Sequence, residues 1–410
     1  MTTADFLIIG GGVIGLNIAR RLRQEFGHAK TLIVEKEPDV GLHASGRNSG
    51  VLHAGFYYTP DSLKARFTRL GNQSLTEYCV RKGIALNRCG KLVVAKNRAE
   101  LSGLDELLKR GKANGIPLDA ITEKESKAIE PRVKTYERAI FSPSTATVDP
   151  VLVMTAMKND ALKEGVDIHC GTSYIGRYKQ QVNTSAGAIE AGYVVNAAGL
   201  YADRIGRDFG FSERYRILPF KGLYLYSSEP PGSIRTNVYP VPDLKHPFLG
   251  VHFTVAANGA VKIGPTALPV LWREHYSGAG NFSLRECAEV TARGVRLMFA
   301  SGFDFRTLAL KELAKCSKAR MVSLASELVD GVRLDHYQKW GRPGIRAQLV
   351  DITTQKLEMD FVLEGDNKSM HVLNAVSPAF TCAIPFSEFV CQRIKTLLNG
   401  GVPNENFHDR

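Results

Sequence analysis

A glycine-rich turn near the N-terminus constrains the fold of this chain more than any other feature of its sequence. The apolar run Phe6–Ile9 leads into glycines with the spacing G-x-G-x-x-G, and a helical pattern follows. A second apolar run ends at Glu35, about 20 residues after the last of these glycines. This pattern predicts a Rossmann-type unit, in which backbone N–H groups bind a pyrophosphate and the acidic residue binds a ribose hydroxyl. The predicted dinucleotide contacts are Gly10, Gly12, Val13, Ile14, Gly15, Glu35 and Lys36.

The glycine motif by itself is compatible with NAD and with FAD, and a plain glycine-rich turn is the alternative to either. A later apolar strand ends in the small residues Asn196-Ala197-Ala198-Gly199, before a second helix begins. A further strand that approaches the cofactor this far along the chain favours FAD, although an ordinary strand-to-helix turn has the same pattern. On this interpretation Ala198 and Gly199 also contact the cofactor.

Composition and charge restrict the classes of partner. The 410 residues are 44% hydrophobic and 23% charged, which is typical of a globular protein with more than one domain. The net charge is +12, but lysine and arginine are scattered without a long basic run. We therefore expect no nucleic-acid partner. An anionic substrate or an anionic membrane surface fits the charge, and a basic solvated surface is the alternative.

Cysteine usage and hydropathy indicate the cellular setting. The seven cysteines include no CxxC pair and are odd in number, so we expect neither a disulfide framework nor a metal site. No apolar run reaches the roughly 20 residues that a membrane span requires. The expected location is cytoplasmic, with or without peripheral contact on the inner membrane face.

The stretch HASGRNSGVLHAGFYY, residues 43–58, combines two histidines and an arginine with small residues. This mixture is poorly suited to a hydrophobic core. Small residues allow a backbone to approach a ligand closely, and imidazole and guanidinium groups carry chemistry. The stretch therefore indicates a functional loop.

Several stretches in order from residue 7 to about residue 385 resemble one known family. They include IIGGGVIGL, VEKE, NSGVLHAGFYYTPDSLKA, CGKLVVA, VVNAAGLYADRI, LPFKG, YPVPDLKHPFLGVHFT, GIRAQ and VLNAVSPA. The chain resembles the FAD-dependent D-amino-acid-oxidase-like superfamily, and within it the L-2-hydroxyglutarate dehydrogenase (oxidase) family. The resemblance implies a mixed α/β fold, in which a Rossmann-type FAD-binding domain is interleaved with an antiparallel-sheet substrate domain.

The resemblance also implies an activity, namely oxidation of L-2-hydroxyglutarate to 2-oxoglutarate with FAD, followed by electron transfer to a quinone or to dioxygen. An FAD-dependent amine or amino-acid oxidase, or an oxidase of another 2-hydroxy acid, is the alternative on the same scaffold. A third hypothesis is a flavin-binding module without catalytic activity. The substrate in the first case is a small dicarboxylate.

The roles of individual residues follow from the resemblance. His53 is the expected base for the hydroxyl proton, and His252, in a strand of alternating pattern, is the rival base. Arg346 is the expected partner of a substrate carboxylate. Further substrate contacts are expected from Lys221, Tyr58 and Tyr239. Further flavin contacts are expected from Ser45, Arg47, Asn48, Ser49 and Gly50, and from Pro378 and Ala379 at a helix N-terminus.

The chain departs from the family pattern at four positions. Arg47 stands where the family usually has His, and it resembles the arginine in the loop of glycerol-3-phosphate dehydrogenases. Thr266 stands in GPTA where GPNA is usual, and Val376 and Phe380 change the late motif NAPSPAAT. These positions are expected near the flavin, so they leave the exact 2-hydroxy acid open.

The order of the predicted elements suggests two discontinuous domains. We expect the FAD-binding domain to comprise residues 1–85, 150–210 and 346–398. We expect the substrate domain to comprise residues 86–149 and 211–345, with helices near 97–114, 283–300 and 306–329.

Overall fold

The glycine turn at the N-terminus lies between a strand and a helix, as the sequence predicts. The computed structural model of the protein describes residues 2–179, 181–244, 248–300 and 305–401, so His246 and His408 lie outside the described residues. The α-helices found there are α1 Val13–Glu25, α2 Leu63–Arg81, α3 Leu101–Ala113, α4 Glu123–Ile129, α5 Pro150–Lys163, α6 Ala202–Asp208, α7 Leu284–Ala300, α8 Phe305–Ala314, α9 Lys318–Ser326 and α10 Ala379–Leu398.

The strands of the described residues follow the same chain-order numbering. They are β1 Thr2–Ile9, β2 Thr31–Val34, β3 Val51–Leu52, β4 Leu86–Asn87, β5 Lys91–Val94, β6 Asp119–Thr122, β7 Arg138–Ser142, β8 Ala146–Val148, β9 Asp167–His169, β10 Tyr174–Tyr178, β11 Gln181–Thr184, β12 Gly187–Asn196, β13 Tyr215–Gly222, β14 Leu225–Tyr226, β15 Asn237–Pro240, β16 His252–Val255, β17 Val261–Gly264, β18 Leu268–Pro269, β19 Lys339–Trp340, β20 Gly344–Asp351, β21 Lys356–Leu357, β22 Leu363–Gly365 and β23 Ser369–Val372.

The chain divides into two compact units, each built from separate segments. The first unit contains the chain up to Arg47, residues 150–218, and the chain from Ala347 onward. The second unit contains residues 48–149 and 219–346. The first break therefore falls after residue 47 and not at the expected position, residue 85. The reason is long-range pairing, because β3 pairs with β8 and the buried Phe56 packs in the core of the second unit.

The first unit is built on a sheet with a parallel centre. Its strand order is β10-β11-β12-β1-β2-β9, and β23 pairs with β12 and with β22. The pairs β1–β2, β1–β12, β2–β9 and β12–β23 are parallel. Parallel neighbours need crossover connections, which α1 supplies between β1 and β2. The apolar face of α1, with Leu16, Ile18 and Leu22 fully buried, packs against α5 and α10.

The second unit is built on a mostly antiparallel sheet with the order β19-β14-β17-β16-β15-β5-β7-β6. Side chains alternate between its two faces, as the period of a strand requires. One face carries the apolar residues Leu92, Val238, Phe253 and Ile263, which pack in a core with residues of α9. We call the opposite face of strands β5, β15, β16 and β17, with Lys91, Tyr239, His252 and Lys262, the polar sheet face.

The helical region after β18 differs in part from expectation. The helix predicted near 97–114 is confirmed as α3 with a short 3₁₀ turn before it, and the helix near 283–300 is confirmed as α7. The single helix predicted over 306–329 is wrong, because the structure has α8 and α9 with a break between them. The Ser317 hydroxyl accepts a hydrogen bond from the Arg320 N–H and begins a new helix there. Within the described residues, no helix is both long enough and apolar enough to cross a membrane.

Candidate dinucleotide and substrate sites

The turn between β1 and α1 in the first unit has room only for glycine at two of its positions. Gly10 has a φ of +110°, and a Cβ atom there would lie 2.6 Å from the Ala197 carbonyl oxygen. A Cβ atom on Gly15 would lie 2.0 Å from the Gly10 carbonyl oxygen. Both glycines are therefore required by the packing of the turn, which brings the start of α1 close to the end of β1.

The N-terminus of α1 is open to an anion. Its N-cap residue is Gly12, which has no side chain, and its first turn contains no acidic residue. The Val13 N–H donates to the Ser45 hydroxyl over 2.9 Å. A Cβ atom on Gly12 would lie 3.2 Å from that same hydroxyl, so glycine keeps a narrow space beside the helix start. Such a helix start, with its partial positive charge, suits a phosphate group, and the Ser45 hydroxyl lies beside it.

Glu35 lies at the end of β2 with its carboxylate fixed in place. One oxygen accepts from the Gly11 N–H over 2.7 Å, and the other accepts from the Glu37 N–H over 3.0 Å. Each carboxylate oxygen has a further lone pair with which it can accept a ribose hydroxyl. The neighbouring Lys36 forms an ion pair with Glu37, and its ammonium lies 5.8 Å from the centroid of the Tyr201 ring.

The loop after β12 is held against the glycine turn. The Ala197 N–H donates to the Ile9 carbonyl over 2.9 Å. The Asn196 amide donates to the Ala202 carbonyl over 2.8 Å and contacts His371 Nδ1 at 3.1 Å. Ala198 and Gly199 follow, with Gly199 in the left-handed region at a φ of +53°. The glycine turn, Glu35 and this loop fit an adenine dinucleotide, and FAD is one.

The other expected cofactor residues of the first unit are Arg47, Pro378 and Ala379, and they lie outside the glycine turn. Arg47 donates from Nε to the Leu42 carbonyl over 2.6 Å, so its guanidinium supports its own loop. Pro378 is the N-cap of α10, and Pro378 and Ala379 are both buried. Of the two departures nearby, Val376 is buried and Phe380 is partly buried on the first turn of α10.

Residues 48–50 lie in the second unit and form a tight turn before β3. The Asn48 side chain accepts from the Gly50 N–H over 2.8 Å, and the Ser49 hydroxyl accepts from the Val51 N–H over 3.3 Å. Gly50 has a φ of +77°. These side chains stabilise the turn itself, and the Ser49 carbonyl accepts from Lys262 Nζ over 3.1 Å.

His252 lies on the polar sheet face with a fixed orientation. Its ring stacks on Tyr239, with centroids 3.7 Å apart and planes at 17°. Its Nδ1 lies 3.0 Å from the Gly250 carbonyl, which only accepts, so Nδ1 carries the proton and Nε2 has the free lone pair. Burial, followed by the charge of Lys91, holds the pKa of His252 well below its usual range. The imidazole is therefore neutral at physiological pH.

His53 follows β3 in the same unit and is partly buried. Burial first, and the charge of Lys91 second, lower the pKa of His53 to about 3. The Asn72 amide on α2 donates to the Leu52 and Ser144 carbonyls over 3.0 and 3.1 Å, which holds the backbone next to His53. His53 is thus a second neutral imidazole in the second unit.

Arg346 ends the second unit and is partly buried. Its Nη1 donates to the Thr266 carbonyl over 3.1 Å, and its guanidinium lies 5.7 Å from the Phe248 ring centroid. The Thr266 hydroxyl donates to the Lys221 carbonyl and accepts from the Leu223 N–H, each over 3.0 Å. The departure at Thr266 therefore has a structural role, because this hydroxyl ties two backbone segments together next to the arginine.

The remaining expected substrate residues are Lys221, Tyr239 and Tyr58, and they differ in burial. Lys221 is partly buried, and burial lowers the pKa of its amine. Tyr239 is buried beneath His252, whereas Tyr58 is partly buried and its carbonyl accepts from the Asn114 amide over 3.1 Å. The structure thus places His252 on Tyr239 and Lys221 next to Thr266.

Sequence reasoning missed two buried lysines of the polar sheet face. Lys91 is fully buried, and Lys262 is 6% exposed. Each interrupts a short apolar strand, in GKLVV and AVKIG, and this interruption was the available signal. Burial lowers the pKa of Lys91 to about 7 and that of Lys262 to about 8.

Comparison with known proteins agrees with this architecture. The sequence pattern of the family described as FAD dependent oxidoreductase, DAO, matches residues 5–346. The L-2-hydroxyglutarate dehydrogenase of Escherichia coli strain K12 is 33% identical over 401 residues, which cover 96% of this chain and 94% of that protein. The mitochondrial L-2-hydroxyglutarate dehydrogenase of Nematostella vectensis is 34% identical over 416 residues, covering 95% and 90%.

Solved structures share the fold at lower identity. L-alpha-glycerophosphate oxidase from Mycoplasma pneumoniae with FAD bound superposes with a TM-score of 0.75 at 22% identity, covering 99% of this chain and 98% of that one. Glycine oxidase from Geobacillus kaustophilus superposes with a TM-score of 0.70 at 18% identity, covering 98% and 96%. The mixed α/β architecture is therefore shared with FAD-containing and amine-oxidising proteins alike.

Proposed function

The chain belongs to the DAO family of FAD-dependent oxidoreductases, and we propose that it oxidises L-2-hydroxyglutarate to 2-oxoglutarate. The observation that carries the proposal is the pair of neutral imidazoles, His53 and His252, in one unit with the cationic Arg346. Relatives that match almost the whole chain bear the name of this activity. They do not favour an amine or amino-acid oxidase.

Oxidation of the alcohol removes a hydride from C2 and a proton from the hydroxyl. FAD, when bound, supplies the acceptor for the hydride. The chain supplies the acceptor for the proton, and a neutral imidazole suits this role because its lone pair is available at physiological pH. His252 presents Nε2 as this acceptor, and His53 is the alternative.

The substrate carries two carboxylates, which require cationic or hydrogen-bonding partners. Arg346 binds one carboxylate, since a planar guanidinium offers paired N–H donors. Lys221 binds the other, and hydroxyls of Tyr58 and Tyr239 assist in orientation. The Thr266 hydroxyl fixes the backbone on which Arg346 and Lys221 depend.

The two units divide these tasks. The first unit would hold the FAD pyrophosphate at the start of α1 and the ribose at Glu35, and the second unit would hold the substrate. Lys36, also in the first unit, would complete the cofactor contacts of that unit. This assignment is supported by the glycine packing and by the open N-terminus of α1.

An FAD-dependent oxidoreductase needs a small substrate and an electron acceptor. We propose a membrane quinone or dioxygen as the acceptor and peripheral contact with the inner face of the cytoplasmic membrane. Exposed apolar side chains on α7 and α8 support this contact, with Leu284 75%, Phe299 85% and Leu310 60% exposed. Arg285, which follows Leu284 in the chain, has a side chain that is 85% exposed and forms an ion pair with Glu289. Apolar and basic side chains together suit an anionic lipid surface.

Anaerobic reduction of the bound flavin tests the activity. L-2-Hydroxyglutarate should bleach the flavin absorbance, and the D-isomer should not. Bleaching by glycine, sarcosine or a D-amino acid, without bleaching by 2-hydroxyglutarate, would overturn the proposal. A flavin that none of these compounds reduces would indicate a binding module without catalysis.

Vesicle flotation tests the membrane contact separately. The protein should float with vesicles that contain phosphatidylglycerol and not with vesicles of phosphatidylcholine alone. Phe299→Ser should reduce flotation, and Val80→Ser, which removes a 60% exposed apolar residue of α2, should not. Equal flotation of both variants would exclude this surface.

A further inference from the structure

Lys91 is a fully buried lysine whose ammonium lies close to three aromatic rings. Its ammonium lies 4.4 Å from the Tyr239 ring centroid, 5.1 Å from that of Tyr57 and 5.5 Å from that of Phe56. Across the part of the chain that the structure describes, Nζ has no hydrogen-bond acceptor. Cation–π attraction is thus the main interaction that holds this charge.

This arrangement is costly for the fold. Burial of an ammonium without a counter-ion destabilises the folded state, and a desolvated cation–π contact offsets only part of that cost. Among the described residues, the one group that can carry a negative charge and raise the pKa of Lys91 is the Cys89 thiol, in its thiolate form. A position that served packing alone would be better filled by methionine or leucine, so the amine indicates a functional role.

The charge of Lys91 acts on both candidate bases. It lowers the pKa of His53 and of His252, in each case as the second largest cause after burial. Lys91 and His252 both lie on the polar sheet face. The Tyr239 ring stacks on the His252 imidazole and also contacts the Lys91 ammonium. We propose that Lys91 is a positioning residue that keeps His53 and His252 in their neutral, proton-accepting form. This inference rests on the proposed function, in which an imidazole accepts the hydroxyl proton.

The order in which these groups bind protons explains how Lys91 keeps the two imidazoles neutral. As the pH falls, Lys91 binds a proton near pH 7, before either imidazole does. The resulting ammonium then disfavours a second proton nearby, as expected for coupled groups. The imidazoles therefore stay neutral in the range where a solvent-exposed histidine would already be protonated.

The other titratable groups around the cluster do not cancel this effect. They are Cys89, Tyr57, Tyr224, Tyr239 and Arg346, and burial raises the pKa of the thiol and of each tyrosine, so these four are neutral. Arg346 is a cation and lowers the pKa of His252 further. The acidic residues that act on the neighbouring cations are Asp149 on Lys262 and Glu312 on Arg346.

A titration of the holoenzyme by nuclear magnetic resonance, with ¹⁵N-labelled histidine, tests the inference without turnover. His53→Asn and His252→Asn assign the two resonances. In the wild type neither imidazole should titrate between pH 5 and 8, and a midpoint near 6.5 for both would overturn the inference. In Lys91→Met both midpoints should rise, and in Lys91→Arg, which keeps the charge, they should stay low.

Kinetics and stability complete the test. For Lys91→Met the pH at which kcat/KM falls to half of its maximum should shift upward relative to wild type, because the imidazoles then bind a proton more readily, and Lys91→Arg should keep the wild-type profile. The melting temperature of Lys91→Met should equal or exceed that of the wild type, whereas a purely structural lysine would lower it on replacement. Unchanged histidine midpoints in this variant would contradict the inference even if L-2-hydroxyglutarate bleaches the flavin. Failure of bleaching alone would overturn the proposed function and leave the titration result valid.

Discussion

The imidazole of His252 lies flat on the ring of Tyr239, 3.7 Å away between centroids. The stack fixes the ring plane, and the bond from Nδ1 to the Gly250 carbonyl fixes the tautomer. A proton acceptor held in this way needs little reorganisation when it reacts. The ring of His252 is therefore held by two contacts, whereas the family resemblance favours His53 as the base.

Replacement of the two imidazoles separates their roles. We expect the variant that lacks the base, His252→Ala or His53→Ala, to lose about 10²–10⁴-fold in kcat with L-2-hydroxyglutarate. Steady-state kinetics of flavin-loaded protein measure this loss, and His28→Ala, at an exposed position, serves as the control. Wild-type kcat in both variants would remove these histidines from the mechanism.

Arg346→Lys tests recognition of a carboxylate. The lysine keeps the charge but loses the paired donors of the guanidinium, so KM should rise with a smaller effect on kcat. Substrate dependence of the initial rate gives both parameters. Arg342→Lys, at an exposed position four residues earlier, should leave KM unchanged. A fall in kcat at constant KM would contradict a role in substrate binding.

Gly15→Ala tests whether the glycine turn is required for flavin binding. The added methyl group would meet the Gly10 carbonyl at 2.0 Å, which forces α1 away from β1. The purified variant should contain little flavin by absorbance and should unfold at a lower temperature. Gly27→Ala adds the same methyl group where no atom lies within 4 Å, and it should retain its flavin. Full flavin content in Gly15→Ala would count against the proposed pyrophosphate site.

The pH dependence of stability tests the buried histidine of the first unit. Burial lowers the pKa of His371 from 6.5 to about 4. Between these two values the unfolded chain binds a proton that the folded chain does not, so stability should fall as the pH decreases from about 6.5 to about 4. Urea unfolding at several pH values measures the slope. His371→Gln should have a shallower slope over this range, and parallel curves would contradict this origin.

The local features of the site were predictable because they depend on neighbours in sequence. The glycine spacing, the position of Glu35 and the alternation around His252 each reflect one turn or one strand. The resemblance to a family added the activity and the cofactor. The break between α8 and α9 was missed, because a single capping residue, Ser317, decided it against a continuous helical pattern.

The sequence by itself determined the β-α-β unit, the dinucleotide turn and the residue types available for chemistry. Only the tertiary structure decided that residues 48–85 belong to the second unit and that Lys91 lies under Tyr239. The burial of Lys91 depends on the pairing of β5 with β15. In this pairing Lys91 of β5 lies opposite Asn237 of β15, although the two residues are far apart in the chain. The partner of a strand cannot be predicted from its local sequence, because the alternation of apolar and polar side chains in a strand is the same whichever strand it pairs with.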